Sequence, residues 1–223
     1  MKLQPGFSRM KKIGMMMAAM VMLMVPIISH ADLFTFEMIT SNGSNPAVAA
    51  QFAVDVTAGG ANQASFKFTN SGSIASSIAA IYFDDGTLLS FASISPITNG
   101  PGVSFVQLGS PGNLPSANSI SPDFETTSGL YATADNPKPT KGINPGEQVT
   151  LLFDLINGKT FLDTIAALNT GDLRIGLHVQ SIGTAGNSES FVNRVPVPEP
   201  GTLILLGSGL LGLVAAGRKK FRK

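Results

Sequence analysis

Cysteine and tryptophan are absent from the 223 residues, and only two histidines are present. Without cysteine the chain forms no disulfide, no thiolate metal site and no cysteine nucleophile. Its folded part must therefore be stabilised by an apolar core. The lack of tryptophan also removes the largest flat aromatic face available for packing against a sugar ring.

Charge is scarce and unevenly distributed along the chain. Four of the 15 basic residues precede Ala31 and five follow Gly217, whereas 13 of the 14 acidic residues lie between Asp32 and Val197. That central part therefore carries a net charge of −7, although the whole chain carries +1. Contacts to phosphate groups need clustered cations, so nucleic-acid binding is not expected.

The N-terminus has the three parts of an export signal. Four basic residues come first, an apolar, methionine-rich run from Ile13 to Ile28 follows, and Ser29, His30 and Ala31 close the segment. This order predicts a signal peptide over residues 1–31 that signal peptidase removes after Ala31. A retained anchor is the alternative, but the small residues at the exit favour removal.

The C-terminus has a second three-part pattern. Residues 195–201 form a linker that contains Pro198, Glu199 and Pro200, and the apolar run 202–217 and the basic tail 218–223 come after it. The prolines favour an extended backbone without paired donors, which an enzyme can bind. As a helix, the run spans roughly 24 Å, a short transmembrane segment. The basic tail places its end on the cytoplasmic side.

This arrangement resembles the PEP-CTERM sorting signal of Gram-negative bacteria, with Pro198, Glu199 and Pro200 as the processing motif. The resemblance implies that an exosortase in the inner membrane cuts at or near the motif and passes the protein to the cell surface. An ordinary single-span anchor after a proline-rich linker has the same parts but is not cut.

Between the two signals, short runs of alternating apolar and polar residues are separated by turn-forming residues. Such runs predict strands, here at 33–38, 51–56, 64–69, 103–108, 149–154 and 173–180, with two more at 74–83 and 191–194. The pattern predicts an all-β domain over residues 32–194, an antiparallel β-sandwich of which a jelly-roll-like arrangement is one form. One helical turn is expected at Phe161 to Leu168.

Residues 109–146 form a long, polar, proline-rich stretch without clear periodicity. Such a length predicts a functional loop, a lid or a passive insertion. It is the first place in the domain where ligand binding is expected.

Asp84 and Asp85 precede Gly86 between two apolar runs, and two interpretations remain open. One is a plain hairpin turn, in which aspartate bonds its own backbone and glycine takes a positive φ. The other is a calcium site, in which both carboxylates are joined by Asp123, Glu125 or Asp135 from the long loop.

Signals for catalysis are weak. His178 lies on the polar side of its predicted strand, and the histidine has no cysteine partner for a zinc site. Neither a Gly-x-Ser-x-Gly nucleophile turn nor a phosphate-binding glycine loop occurs. Paired carboxylates for glycoside hydrolysis depend on their separation in space, which the sequence leaves open.

These observations lead to one expected function and two alternatives. We expect a non-enzymatic exported protein without a resident cofactor, which is held briefly in the inner membrane and processed by an exosortase. It then reaches the cell surface or outer envelope, or is secreted, with a role linked to an exopolysaccharide or biofilm matrix. The first alternative is a calcium- or glycan-binding module, which is supported by the negative net charge of the domain and by the long loop. A polysaccharide hydrolase is the second, with only scattered carboxylates behind it.

Overall fold

The computed structural model describes residues 32–85, 91–108 and 112–195. The described residues contain ten β-strands and two α-helices. The strands are β1 (Asp32–Met38), β2 (Phe52–Gly60), β3 (Gln63–Asn70), β4 (Ser77–Asp84), β5 (Phe91–Asn99), β6 (Phe105–Gln107), β7 (Tyr131–Ala134), β8 (Gln148–Leu155), β9 (Arg174–Ile182) and β10 (Asn187–Asn193). The helices are α1 (Lys138–Lys141) and α2 (Phe161–Thr170), with 3₁₀ turns at Pro46–Gln51 and Ala117–Ser119.

All strands belong to one antiparallel sheet, in the order β5-β8-β3-β2-β1-β10-β9-β4-β7-β6. β1 joins its two halves. The first part of β1 pairs with β2, where Thr35 lies opposite Ala53, and the second part pairs with β10, where Phe36 lies opposite Asn193. The sheet is therefore continuous through a strand that the two halves share.

The sheet curves until its two edge strands nearly meet. The backbone N–H of Phe105 on β6 donates to Asn99 Oδ1 on β5 at 2.8 Å, so a side chain bridges the two edges at one corner. The predicted antiparallel all-β class is confirmed. The finer prediction of a β-sandwich is not confirmed, because β1 makes the two halves one nearly closed sheet.

Phenylalanine rings from both halves meet in the core. The Phe66 ring on β3 lies 5.5 Å from the Phe83 ring on β4 and 5.1 Å from the Phe153 ring on β8. The Phe83 and Phe153 centroids are 4.8 Å apart. These contacts are edge-to-face, the arrangement that the aromatic quadrupole favours. Strands β2, β3 and β8 alternate between buried and half-buried residues, as their sequence pattern predicted.

A second, smaller apolar cluster lies on the other face of β4. All eight residues of β4 are buried, because Ile81 and Phe83 point into the main core while Ala80 and Tyr82 belong to the second cluster. The second cluster is closed by residues 112–127, called the cover segment below. Leu114 and Phe124 of that segment are buried in it.

Gly176 on β9 leaves room for this close packing. A Cβ atom at Gly176 would lie 2.9 Å from a Leu114 methyl carbon and 3.0 Å from the Phe124 ring. Both distances are shorter than an ordinary van der Waals contact. The side chains of the cover segment therefore lie directly on the backbone of β9, and a Cβ atom at position 176 would force Leu114 and Phe124 to shift.

The predicted elements appear close to their expected places. β5, β7 and α1 were not predicted. β5 contains Pro96, and proline is tolerated because β5 is an edge strand. β7 lies inside the stretch 109–146 that was predicted to be a long loop, and α1 lies there as well. Part of that stretch is therefore regular structure, whereas most of its described residues are irregular.

Helix α2 follows the prediction for residues 161–168 and extends it to Thr170. Thr160 caps it, since its hydroxyl accepts the Asp163 N–H, while the Asp163 carboxylate accepts the Thr160 N–H at 2.8 Å. These reciprocal bonds satisfy two donors that a helix start leaves without partners. Gly171 ends the helix in the left-handed conformation at φ 82°.

Buried amides connect the two halves where the chain passes from β3 to β4. Asn70 Nδ2 donates to the carbonyl of Ile143 at 3.1 Å and to Ser76 Oγ at 3.1 Å. Gln51 Nε2 donates to Asn70 Oδ1 at 3.2 Å, and Gln51 Oε1 accepts the Ile74 N–H at 2.6 Å. Each amide therefore satisfies backbone groups that the crossing would otherwise leave unpaired.

We predict that Asn70→Ala lowers the free energy of unfolding by about 1–3 kcal/mol, because it leaves buried carbonyl and amide groups without partners. Urea unfolding of the purified protein measures this change. Ser73→Ala is the matched control, since Ser73 is exposed in the same connection, and it should stay within about 0.5 kcal/mol of the parent. Equal stability of both variants would show that the network does not hold the crossing.

A buried carboxylate fixes the chain after β1. Glu189 on β10 accepts hydrogen bonds from the Thr40 hydroxyl and from the backbone N–H groups of Asn42 and Ser44, the latter two at 2.8 and 3.2 Å. Burial alone would raise the pKa of Glu189, but these hydrogen bonds outweigh it and lower the pKa overall. The folded protein therefore favours the ionised form.

A lowered carboxyl pKa makes a stability contribution that is complete above the ordinary glutamate pKa of about 4.3 and disappears as the pH falls through the folded-state pKa. We predict that Glu189→Gln destabilises the protein strongly at about pH 7 and that the difference from the parent shrinks towards about pH 3. Unfolding free energies across this range measure it. Glu37→Gln, at an exposed carboxylate, should give a small difference throughout; a pH-independent gap for Glu189→Gln would contradict the assignment.

Candidate functional site

Asp84 and Asp85, the residues predicted as a turn or a calcium site, lie at and just after the end of β4 and are both buried. The described strands on either side of them form no hairpin with each other, because β4 pairs with β9 and β7 whereas β5 pairs with β8; residues 87–89, the predicted second arm of the turn, lie outside the described residues. The strands on either side of the Asp-Asp-Gly sequence therefore lie in different halves of the sheet. Gly86 itself lies outside the described residues.

Asp84 forms a buried ion pair with Arg174 on β9. Its carboxylate also accepts the backbone N–H of Glu125 at 2.9 Å. The Arg174 guanidinium donates to the carbonyls of Pro122, at 2.7 Å, and Asp123. The same guanidinium lies 5.4 Å from the centre of the Phe124 ring. Asp84 and Arg174 together therefore attach the cover segment to the sheet.

Asp85 contacts the same segment through Thr127. Its backbone N–H donates to Thr127 Oγ1 at 3.0 Å, and that hydroxyl donates back to Asp85 Oδ1 at 2.8 Å. Burial raises the pKa of Asp85, and the neighbouring Asp84 charge adds to the increase, while the bond from Thr127 opposes it. Both aspartates thus bind the protein's own backbone and side chains.

The carboxylates proposed to complete a calcium site are not gathered around this pair. Asp123 and Glu125 contact Arg174 and Asp84 through backbone atoms, and the Asp135 side chain accepts the Ser104 hydroxyl at 2.6 Å. In residues 32–85, 91–108 and 112–195, no group of three histidine, cysteine or acidic residues is arranged to hold a metal ion.

His178 lies as its strand pattern predicted. Leu177 and Val179 beside it are buried in the main core, and His178 is half-buried on the opposite face. Burial lowers the pKa of His178, and the charge of Lys138 lowers it further. The imidazole is therefore neutral at physiological pH. The residues opposite it on neighbouring strands are Ala80 and Ser190.

A cavity of about 710 Å³ lies where the described domain ends. It is bounded by β1, the cover segment, the turn after α2, β9 and the end of β10, and its charged residues are Glu37, Asp172, Arg174 and Arg194. The sequence carries no signal for this cavity, because its walls come from five separate segments and no spacing along the chain marks them.

The predicted sorting elements lie outside the described residues. This applies to Pro198, Glu199 and Pro200, to the apolar run 202–217, to the tail 218–223, and to the signal peptide with Ala31. Across the described ranges, no helix has the length and apolar character that a membrane crossing needs. The last described residue, Val195, lies on the cavity wall.

We predict that Arg174→Gln costs about 3–5 kcal/mol of unfolding free energy, because it leaves the Asp84 carboxylate buried without its cation. The side chains of this pair are only 14% and 9% exposed. Arg194→Gln is the matched control: its partner Glu37 lies 3.8 Å away and both side chains are more than half exposed, so the loss should be under about 1 kcal/mol. Similar losses in chemical denaturation would refute the role given to Arg174.

Comparison with known proteins identifies the C-terminal part of the chain. The model of the PEP-CTERM protein-sorting motif matches residues 196–220, which include the predicted processing residues Pro198, Glu199 and Pro200. Neither the curated proteins nor the solved structures contain a match to the chain. The predicted resemblance is therefore confirmed, and the chain carries the PEP-CTERM sorting motif of an exported protein that is targeted to an exosortase.

Proposed function

We propose that this chain is a non-enzymatic protein of the cell surface or extracellular matrix, which an exosortase releases from a temporary anchor in the inner membrane. The sorting motif at residues 196–220 is the observation that carries the proposal. Signal peptidase removes residues 1–31 after Ala31, the segment 202–217 halts export, and the basic tail 218–223 stays in the cytoplasm. Processing then occurs at or near Pro198, Glu199 and Pro200.

The use of the acidic side chains in the domain supports a structural or binding role. Asp84 neutralises Arg174, Glu189 accepts donors from the chain after β1, and Asp163 caps α2. A general acid or base must be able to exchange a proton with a substrate. Because these three carboxylates already bind the protein's own donors, they serve folding, which supports a structural role for the elements that carry them.

The matrix outside the cell is the proposed place of action, and exopolysaccharide is the proposed partner there. The net charge of −7 between the two signals suits a protein that stays soluble and separate after release. A glycan-binding module is the second candidate function, favoured over a calcium-binding one by the cavity at the end of the domain.

Replacing Pro198, Glu199 and Pro200 together with alanine tests the processing step. We predict that the variant keeps its C-terminal segment and remains in the inner membrane, because the exosortase loses the extended backbone that it binds. Intact-mass measurement together with membrane fractionation detects both effects.

Two controls make this experiment specific. Glu125→Ala changes an exposed acidic residue of the domain and should be processed like the parent. The parent chain in cells without exosortase should accumulate in the same uncut form as the alanine variant. An alanine variant with the same mature C-terminus as the parent would refute the processing step.

A further inference from the structure

We propose that the cavity at the end of the domain binds a neutral sugar unit of a glycan, with Glu37 and Arg194 as its main polar contacts. This inference rests on the proposed function, since it names the partner class of a matrix protein. The cavity volume of about 710 Å³ lies within the range of about 300–1,000 Å³ that is typical of small-molecule sites.

The charges around the cavity disfavour ionic ligands. The wall holds two acidic side chains, Glu37 and Asp172, and two basic ones, Arg174 and Arg194. Because Asp84 also pairs with Arg174, the cavity is not positively charged. A phosphate or carboxylate would meet the two acidic side chains, and a metal ion would meet the Arg194 guanidinium. A neutral ligand with many hydrogen-bonding groups avoids both repulsions.

Glu37 and Arg194 offer the complementary groups that sugar hydroxyls need. Arg194 Nε and Glu37 Oε2 lie 3.8 Å apart, beyond hydrogen-bond distance, and their side chains are 62% and 57% exposed. The pair therefore places a hydrogen-bond donor beside an acceptor, and the two groups do not hydrogen-bond to each other. Each sugar hydroxyl both donates and accepts, so neighbouring hydroxyls can bridge the two side chains.

The remaining wall offers apolar surface. Ile120, Pro122 and Val192 line the cavity and suit the C–H face of a sugar ring. Asn193 also lines it, and its Oδ1 accepts the Ile175 N–H at 2.6 Å.

Calorimetric titration of the purified full-length protein tests the site. The probes are the methyl glycosides of glucose, galactose and mannose, with sodium phosphate and calcium chloride as ionic comparisons. We expect at least one glycoside to bind and neither ion to do so. The double variant Glu37→Gln with Arg194→Gln should weaken glycoside binding about tenfold, as expected for lost charge-assisted hydrogen bonds.

Two further variants locate the binding. Ser121→Trp places a large ring on an exposed wall residue and should abolish binding by filling the cavity. Lys141→Gln removes an exposed cation that is not part of the cavity wall and should bind like the parent. Failure of all three glycosides to bind, or binding that Ser121→Trp leaves unchanged, would overturn the proposal.

The result of the glycoside titration can be distinguished from the result of the processing experiment. A protein that binds none of the glycosides but is still trimmed at the motif in cells would refute the sugar site alone. A protein that binds a glycoside but keeps its C-terminal segment in cells would refute the exosortase step and leave the sugar site intact.

Discussion

The ion pair between Arg174 and Asp84 is the interaction on which the cavity end of the domain depends. One guanidinium contacts a carboxylate of β4, two carbonyls of the cover segment and the face of the Phe124 ring. Removing either charge would leave the other buried and also release the segment that covers the second apolar cluster. Because the cavity wall includes Arg174 and Pro122, the shape of the cavity depends on this same pair.

The fold is stabilised without disulfides, by a core that both halves of the sheet share. β1 connects the two halves through backbone pairing. The rings of Phe66, Phe83 and Phe153 connect them through aromatic contacts. The amides of Gln51 and Asn70 satisfy the backbone where the chain passes from one half to the other. Aromatic packing and paired polar groups thus provide the stabilisation that disulfides provide in many exported domains.

The sequence was sufficient where a single segment carries the signal. Alternation of apolar and polar residues placed eight strands, and the shared face of Phe161, Ile165 and Leu168 placed α2. β5 was missed because Pro96 argues against a strand unless the strand is known to be an edge. The site depends on contacts between distant segments. In the sequence, the adjacent Asp84 and Asp85 fitted either a turn or a calcium site, and only the position of β9 in the fold reveals that Arg174 is the partner of Asp84. The cavity has no local signal at all.

The short distance between the folded domain and the sorting motif links the two parts of the molecule. β10 ends at Asn193, Val195 is still on the cavity wall, and Pro198 follows three residues later. Three extended residues span at most about 11 Å. An enzyme that binds Pro198 to Pro200 must therefore approach the face of the domain that carries the cavity. Under the proposed function, the processing enzyme would therefore work beside the same face that carries the proposed sugar site.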